Sequence, residues 1–405
     1  MLRFKWETPI SERTIKKIPD GWERKNLGHV AELHREHFLP KDEDTRLYVG
    51  LEHIEEGTLT LKGVGKSKEV VSSKSVFLKG DILFGKLRPY FRKVILAPFD
   101  GVCSTDILVI KPKTKTHNKY LFYLLASRQI IDSVSTASEG TKMPRTSWGF
   151  LESIEINVPP YEEQKRIGEV LSWFDDLIEN KKRQNEILEK TAMAVFKSWF
   201  VDFEPFSDSE FVDSALGKMP KNGEIGKLSD VCEIIMGQSP PSEYYNREGE
   251  GSPFIQGKGQ FGRFIPNTDV FCSTTGKKAK PKDILLTVRA PIGELNIADT
   301  DYIIGRGLAS LRSENWVFIH FYLLSNKELL KASERGTTFD AITKPELESF
   351  PIIIPPQNVL EKFKALVEPL SRKIILNEKQ ISVLTKVRDA LLPLLVFGKL
   401  RVEEI

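Results

Sequence analysis

The residues of this 405-residue chain with the clearest chemical potential are cations gathered into two bands. Between Lys79 and Lys93 stand Lys79, Lys86, Arg88, Arg92 and Lys93 against one acid, Asp81, with Phe84, Tyr90 and Phe91 interleaved. Between Lys258 and Arg289 stand Lys258, Arg263, Lys277, Lys278, Lys280, Lys282 and Arg289 against Asp269 and Asp283. A net charge of +3 does not make the chain a polycation, so the local bunching carries the signal. Such bands neutralise phosphates and release counterions, the main source of sequence-independent affinity for duplex DNA. The plain alternative is a solvated surface, the ordinary place for Lys. Lys142, Arg145 and Arg306 complete the candidate DNA-binding set. Within it Lys86, Lys277 and Lys278 suit phosphates, because a flexible point charge fits a backbone that carries no sequence message. Arg88 and Arg289 each follow an Asp-Ile-Leu run and lie near a proline, Pro89 or Pro291. Their planar forks can pair with guanine N7 and O6, or else bond loop carbonyls or an acid of their own domain.

Motifs for catalysis dissolve on inspection. Gly257-Lys258-Gly259-Gln260-Phe261-Gly262 fits the dinucleotide pattern, yet Arg263-Phe264-Ile265-Pro266 follows it where a helix is needed. Asn157-Val158-Pro159-Pro160-Tyr161 departs from the Asn-Pro-Pro-Tyr of adenine methyltransferases by an inserted Val. His34-Arg35-Glu36-His37 lacks the spacing of a zinc protease, and no Cys or His pair supports a metal. No phosphate-binding loop and no nuclease carboxylate cluster is visible. The chain therefore reads as a binding protein that holds no cofactor or metal and turns over nothing on its own.

The elements that must position these cations come in duplicate. Residues Gly140 to Phe200 align without a gap on Gly336 to Val396, a constant offset of 196, and Lys17-Ile18-Pro19 and Asp81-Ile82-Leu83 find looser matches at Lys218-Met219-Pro220 and Asp283-Ile284-Leu285. A unit of about 180 residues is too long for a solenoid repeat and reads as a duplicated domain. The pattern predicts an N-terminal arm (1–16), an α+β domain (17–158), a long helix (159–205), a linker (206–217), a second α+β domain (218–354), a second long helix (355–397) and a tail (398–405). Prolines 159 and 160 suit the start of a helix, and Glu162 and Glu163 suit its positive end.

Both helices carry a 4-3 apolar spacing. On the first it takes in Ile167, Leu171, Phe174, Ile178, Lys181, Asn185 and Leu188; on the second, Phe363, Val367, Ile374, Asn377, Ile381 and Leu384. A rod of roughly 58 Å outreaches one domain, so the two seams are expected to pair as an antiparallel coiled coil. Lys181 and Asn377 are expected opposite one another at its middle.

Several stretches give the chain a family resemblance. Ile18-Pro19-Asp20-Gly21-Trp22-Glu23, the Pro159-Pro160-Tyr161-Glu162-Glu163-Gln164 boundary, Lys197-Ser198-Trp199-Phe200-Val201-Asp202-Phe203-Glu204-Pro205 and the tail from Leu391 to Val402 together resemble type I restriction-modification specificity subunits over nearly the whole chain. Two departures stand out: Gly223 where the first copy has Trp22, and Asn358-Val359-Leu360 in place of the acidic helix start. The resemblance implies two target recognition domains, each reading one half of a bipartite DNA sequence, with helices that set the spacer and dock two methyltransferase subunits. It assigns S-adenosylmethionine to those partners, and ATP and Mg to restriction and translocase subunits. The rival readings are an enzyme with a divergent site and a coiled-coil adaptor that binds protein alone. No apolar run spans a membrane, since the longest, Leu391 to Phe397, is broken by Pro393. The N-terminus lacks a signal-peptide core and the three cysteines are scattered, so a cytoplasmic location is expected.

Overall fold

A computed structural model describes residues 18–41, 43–137, 144–206, 210–332 and 341–402. The predicted arm 1–16, Lys142 and part of the linker lie outside the described residues. The chain divides into two compact units, Met1–Leu177 with Leu384–Ile405, and Ile178–Val383. Each long helix is split between the two units, so the first unit is built from two separate stretches of sequence, whereas the second is one continuous segment.

In the first unit a four-stranded antiparallel sheet runs in the order Ala31–Leu33, Ile107–Pro112, Ile82–Gly85, Val94–Leu96. Its central strands read as unbroken apolar runs because both faces are covered. Ile82, Phe84, Leu108 and Ile110 join the core beneath the helices Asn118–Ala126 and Arg128–Thr136. The alternate residues Leu83, Ile107 and Val109 face a second core with Val49, Phe77 and Cys103 of a five-stranded sheet. That sheet runs His37–Phe38, Lys74–Phe77, Gly101–Cys103, Leu47–Val49, Gly65–Lys66, with Leu47–Val49 parallel to Gly101–Cys103.

The second unit repeats this plan. Its four-stranded sheet runs Glu233–Met236, Leu308–Arg312, Ile284–Thr287, Leu295–Ile297. Ile284 and Leu286 face one core and Leu285 the other. Its five-stranded sheet runs Lys278–Ala279, Tyr302–Ile304, Ser252–Ile255, Phe271–Cys272, Tyr245–Asn246, again with one parallel pair, Ser252–Ile255 beside Tyr302–Ile304. Four strands correspond between the copies. The fifth is added at opposite edges, beside Lys74–Phe77 in the first and beside Phe271–Cys272 in the second.

Both long helices are 40 residues, Tyr161–Phe200 and Gln357–Val396. Pro160 and Pro356 lie just outside the first turns, where their carbonyls accept the first helical N–H groups. Gln164 fastens the first helix to its domain: its side-chain amide donates to Pro159 O (2.9 Å) and its Oε1 accepts the His117 N–H (2.8 Å). Glu163 accepts the Trp22 indole N–H (3.0 Å) and an Arg401 N–H (3.0 Å). At the matching place in the second copy, Leu360 is buried in an apolar core, so packing replaces those hydrogen bonds.

Every residue of both expected seams is buried or half-buried. Within the first unit, Ile167 and Leu171 of the first helix share a core with Leu392, Leu395 and Val396 of the second. Within the second unit, Phe196 and Phe200 pack on Phe363 with ring centroids 6.1 and 4.9 Å apart. The polar contact expected at Lys181 is found one helical turn later. Asn377 donates to Asn185 Oδ1 (2.8 Å) and Asn185 donates to Glu378 Oε1 (2.7 Å), with both asparagines fully buried. Asn185 is shorter than Lys181 and can both donate and accept, which suits it to a closed seam.

The helix Trp316–Ser325 buries His320, whose Nδ1 has no partner among the described residues. Burial pushes its pKa from 6.5 down to about 4. The unfolded chain then binds the proton first, so stability is full above pH 6.5, falls as the pH drops, and stops changing near pH 4. The expected loss is up to about 3 kcal/mol. Denaturant titrations at pH 7 and pH 4.5 should show a steeper loss for the wild-type chain than for His320→Leu; equal losses would refute the assignment.

Candidate nucleic-acid interface

The first cationic band sits on the loop that leaves the strand Ile82–Gly85. Its start is held by backbone bonds: Arg88 N–H donates to Pro144 O (2.8 Å) and Thr146 N–H to Lys86 O (2.9 Å), with Leu87 bridged to Arg145. Pro89–Phe91 forms a single 3-10 turn bracketed by two left-handed residues, Arg88 (φ 49) and Arg92 (φ 50). Each left-handed non-glycine residue costs about 1 kcal/mol, which its surroundings must offset. Arg88 is exposed and Tyr90 is 52% exposed beside it. Tyr90 adds a stacking or packing surface that the interleaved aromatics of the sequence band foreshadow.

The second loop is built alike with a shifted register. Ile342 N–H donates to Val288 O (2.9 Å) and Arg289 is bridged to Ala341. Arg289 therefore occupies the place of Leu87, and Ala290 that of Arg88; the two arginines are one residue out of step. Gly293 (φ 81) stands at the left-handed position that Arg92 fills in the first copy.

A turn at Gly305-Arg306-Gly307 lies alongside, since Val288 N–H donates to Gly307 O (3.0 Å). A Cβ on Gly307 would lie 2.4 Å from Gln256 O, so only glycine lets the turn approach this closely. Lys277 is tied to the same edge through Ile304 N–H to Lys277 O (2.9 Å). Arg289, Arg306, Lys277, Lys278 and Lys280 are all exposed.

Other cations of the bands are committed within their own unit. Arg92 is buried; its Nε donates to Ala126 O (2.6 Å) and its guanidinium faces Asp389 (3.4 Å). Burial lowers its pKa against the pull of Asp389. Lys93 donates to Leu51 O (2.8 Å) and lies 3.8 Å from Glu56. Lys258 pairs with Glu294 (2.6 Å), and Arg263 pairs with Glu186 (3.1 Å) and Glu189 (3.6 Å) on the first long helix. These four hold loops in place, because paired or buried cations are poorly available to phosphates. Lys86 and Arg145 share Asp106, at 3.9 and 3.4 Å. Linear spacing gives no hint of Asp106, which is 20 residues from one partner and 39 from the other.

Among the described residues, no group of three or more His, Cys, Asp or Glu side chains can hold a metal ion. Gly257 to Gly262 forms a 3-10 turn, Lys258–Gln260, and no helix start for a dinucleotide follows it. Burial raises the thiols of Cys103 and Cys232 to about 12, far from a nucleophilic thiolate. Among the described residues, no helix is long and apolar enough to cross a membrane.

The duplicated plan has counterparts among known proteins. Residues 19–190 and 220–386 each match the type I restriction modification DNA specificity domain. The chain is 36% identical to the MjaIX type I restriction enzyme specificity subunit of Methanocaldococcus jannaschii, covering all of this chain and 99% of that one. It is 32% identical, with the same coverage, to the putative MjaX specificity subunit of that organism. In fold it is similar to the crystal structure of the type I restriction-modification S subunit from M. genitalium, at a TM-score of 0.62 and 18% identity over 95% of this chain and 98% of that one. Two matched segments on two like-built units make this chain a member of the type I restriction-modification DNA specificity subunit family.

Proposed function

We propose that this chain is the sequence-reading subunit of a type I restriction-modification complex, and that each α+β domain reads one half of a bipartite DNA target. The observation that carries the reading is the recurrence of one loop: in both copies the loop that leaves the same buried strand starts with matching backbone bonds and carries an exposed arginine, one residue later in the first copy than in the second. Equivalent readers in duplicate suit a target with two half-sites, which on one face of B-DNA recur about every 34 Å.

The two long helices form an antiparallel coiled coil in this reading. Support comes from within the second unit: Asn185 bonds Asn377 and Phe196 packs on Phe363, so residue numbers rise along one helix as they fall along the other. The coiled coil sets the unread spacer and docks two methyltransferase subunits. Trp173, Leu177, Ile187, Leu366, Leu376 and Val383 support docking, as large apolar side chains exposed on the helices. Methyl transfer with S-adenosylmethionine, and ATP-driven restriction, reside in partner subunits located with this chain in the cytoplasm. The isolated chain performs neither.

In a competition assay on target variants, Arg88→Ala and Arg289→Ala should each lose discrimination at one half-site only, by about 1–3 kcal/mol. Lys277→Ala should weaken all sequences alike and flatten the salt slope by about one unit. Unchanged preference and affinity in both arginine variants would remove these loops as reading heads.

Docking has its own check. The double variant Trp173→Glu, Leu177→Glu alters exposed positions and should keep its thermal stability while failing to co-purify the methyltransferase subunit. Full co-purification would place the docking surface elsewhere.

A further inference from the structure

Resting on the reading of Arg88 above, we propose that Arg92 is a positioning residue, through which the second long helix holds the Arg88 loop in register with the duplex. The loop has two fixed ends. Its start hangs on backbone bonds to residues 144 and 146. Its end is held by backbone bonds from Gly57 to Phe91 O (3.1 Å) and from Gly85 to Lys93 O (2.8 Å) and, between them, by the Arg92 side chain, one 3-10 turn from Arg88, with Pro89 stiffening the turn. The position of Arg88 is therefore levered by whatever holds Arg92.

That anchor is a chain of alternating charges within the first unit, with its two arginines buried and its two carboxylates half-buried. Arg92 Nη1 and Nη2 lie 3.5 and 3.4 Å from Asp389 Oδ1, which also accepts from Arg388 Nη2 (3.0 Å). Arg388 is 1% exposed and donates from Nη1 to Asp175 Oδ1 (2.5 Å), and the Tyr123 hydroxyl donates to Asp175 Oδ2 (2.5 Å). Two cations and two anions balance. The chain links the loop, the second long helix, the first long helix and the helix Asn118–Ala126 in turn.

Removing the Asp389 charge leaves Arg92 buried without its counter-charge, so the link is stiff. The repeat offset places Met193, Ala192 and Ser371 where the first unit has Asp389, Arg388 and Asp175. Gly293 stands where it has Arg92. A left-handed backbone accepts glycine without cost, and the second copy uses it. The first copy instead keeps an arginine there, and its side chain makes the link. The device thus belongs to the first half alone.

The test selects bound sequences from a randomised duplex library with the full chain and four variants. Arg88→Ala identifies the half-site positions this loop reads. Arg92→Gly, which the left-handed backbone tolerates, and Asp389→Asn should each reduce base preference at those same positions about tenfold. Preference at the other half-site and the salt slope should stay unchanged, because Arg92 touches no phosphate. Asp389→Glu should restore most of the preference. If Arg88→Ala loses preference while Arg92→Gly and Asp389→Asn keep it, the proposal is overturned and the network is structural only. An equal loss at both half-sites, or a melting transition lowered enough to unfold both variants, overturns it as well. No effect of Arg88→Ala itself defeats the earlier reading of that arginine, a different failure visible in a different variant.

Discussion

Covering two apolar seams is the constraint on which the rest of this structure depends. A helix of 40 residues extends about 60 Å, and an apolar stripe of that length is not stable in water unless something lies along it. Neither α+β domain is large enough to cover one. The observed solution divides each helix between the units, so the first core is completed by Leu392, Leu395 and Val396, residues more than 200 positions from the rest of it. Each unit therefore needs both ends of the repeat before its core closes. The tail takes part too: Gly398, left-handed at φ 67, packs against Pro19 and Trp22, and Arg401 bonds Glu163 at the start of the first long helix.

Polar groups interrupt the seams at chosen places, and the choice differs between the copies. Asn185 and Asn377 leave one amide oxygen, Asn377 Oδ1, buried without a partner among the described residues. Such a group costs about 1–3 kcal/mol, which an apolar pair would not. Its return is register: a slip by one turn would strand both amides among aliphatic side chains. Glu378, which accepts from Asn185, has its pKa raised because burial outweighs that hydrogen bond. Elsewhere, Glu368 is held at about 2: burial opposes its ionisation, but Lys282, Arg372 and the Trp316 indole together overcome it.

Much of this was legible in the sequence, for identifiable reasons. The 4-3 spacing marked the long helices, and the duplication marked two α+β domains whose central strands, Ile82–Gly85 and Ile107–Pro112, are the unbroken apolar runs that burial on both faces requires. The cationic bands were visible as composition. What spacing could not convey was direction: Arg92 and Arg88 are four residues apart, yet one turns inward to Asp389 and the other stays in water. Asp389 lies 297 residues from Arg92, so no local pattern could have revealed it. The one-residue offset between Arg88 and Arg289 was likewise hidden, because it follows from backbone bridges to residues 145 and 341, not from the matching Asp-Ile-Leu runs. Lys181 failed as the seam's polar contact since alignment identifies equivalent residues, whereas packing brings together residues that face one another.

The copies agree where they meet the helices and diverge where they meet solvent. The four-stranded sheets keep their order and register, but the five-stranded sheets add their last strand at opposite edges. On the rim, the first copy places Asp106 between Lys86 and Arg145, while the second has Gly307 at that position and an exposed Arg306 beside it. In the proposed function, framing and reading thus rest on separate physical elements. A core packed on both faces tolerates little change, because a slipped strand turns every side chain to the wrong layer. A loop clamped by backbone bonds and, in the first copy, by the buried Arg92 imposes no such limit on its exposed side chains. Two half-sites that differ in base sequence can therefore be served by two loops of unlike chemistry on one repeated frame.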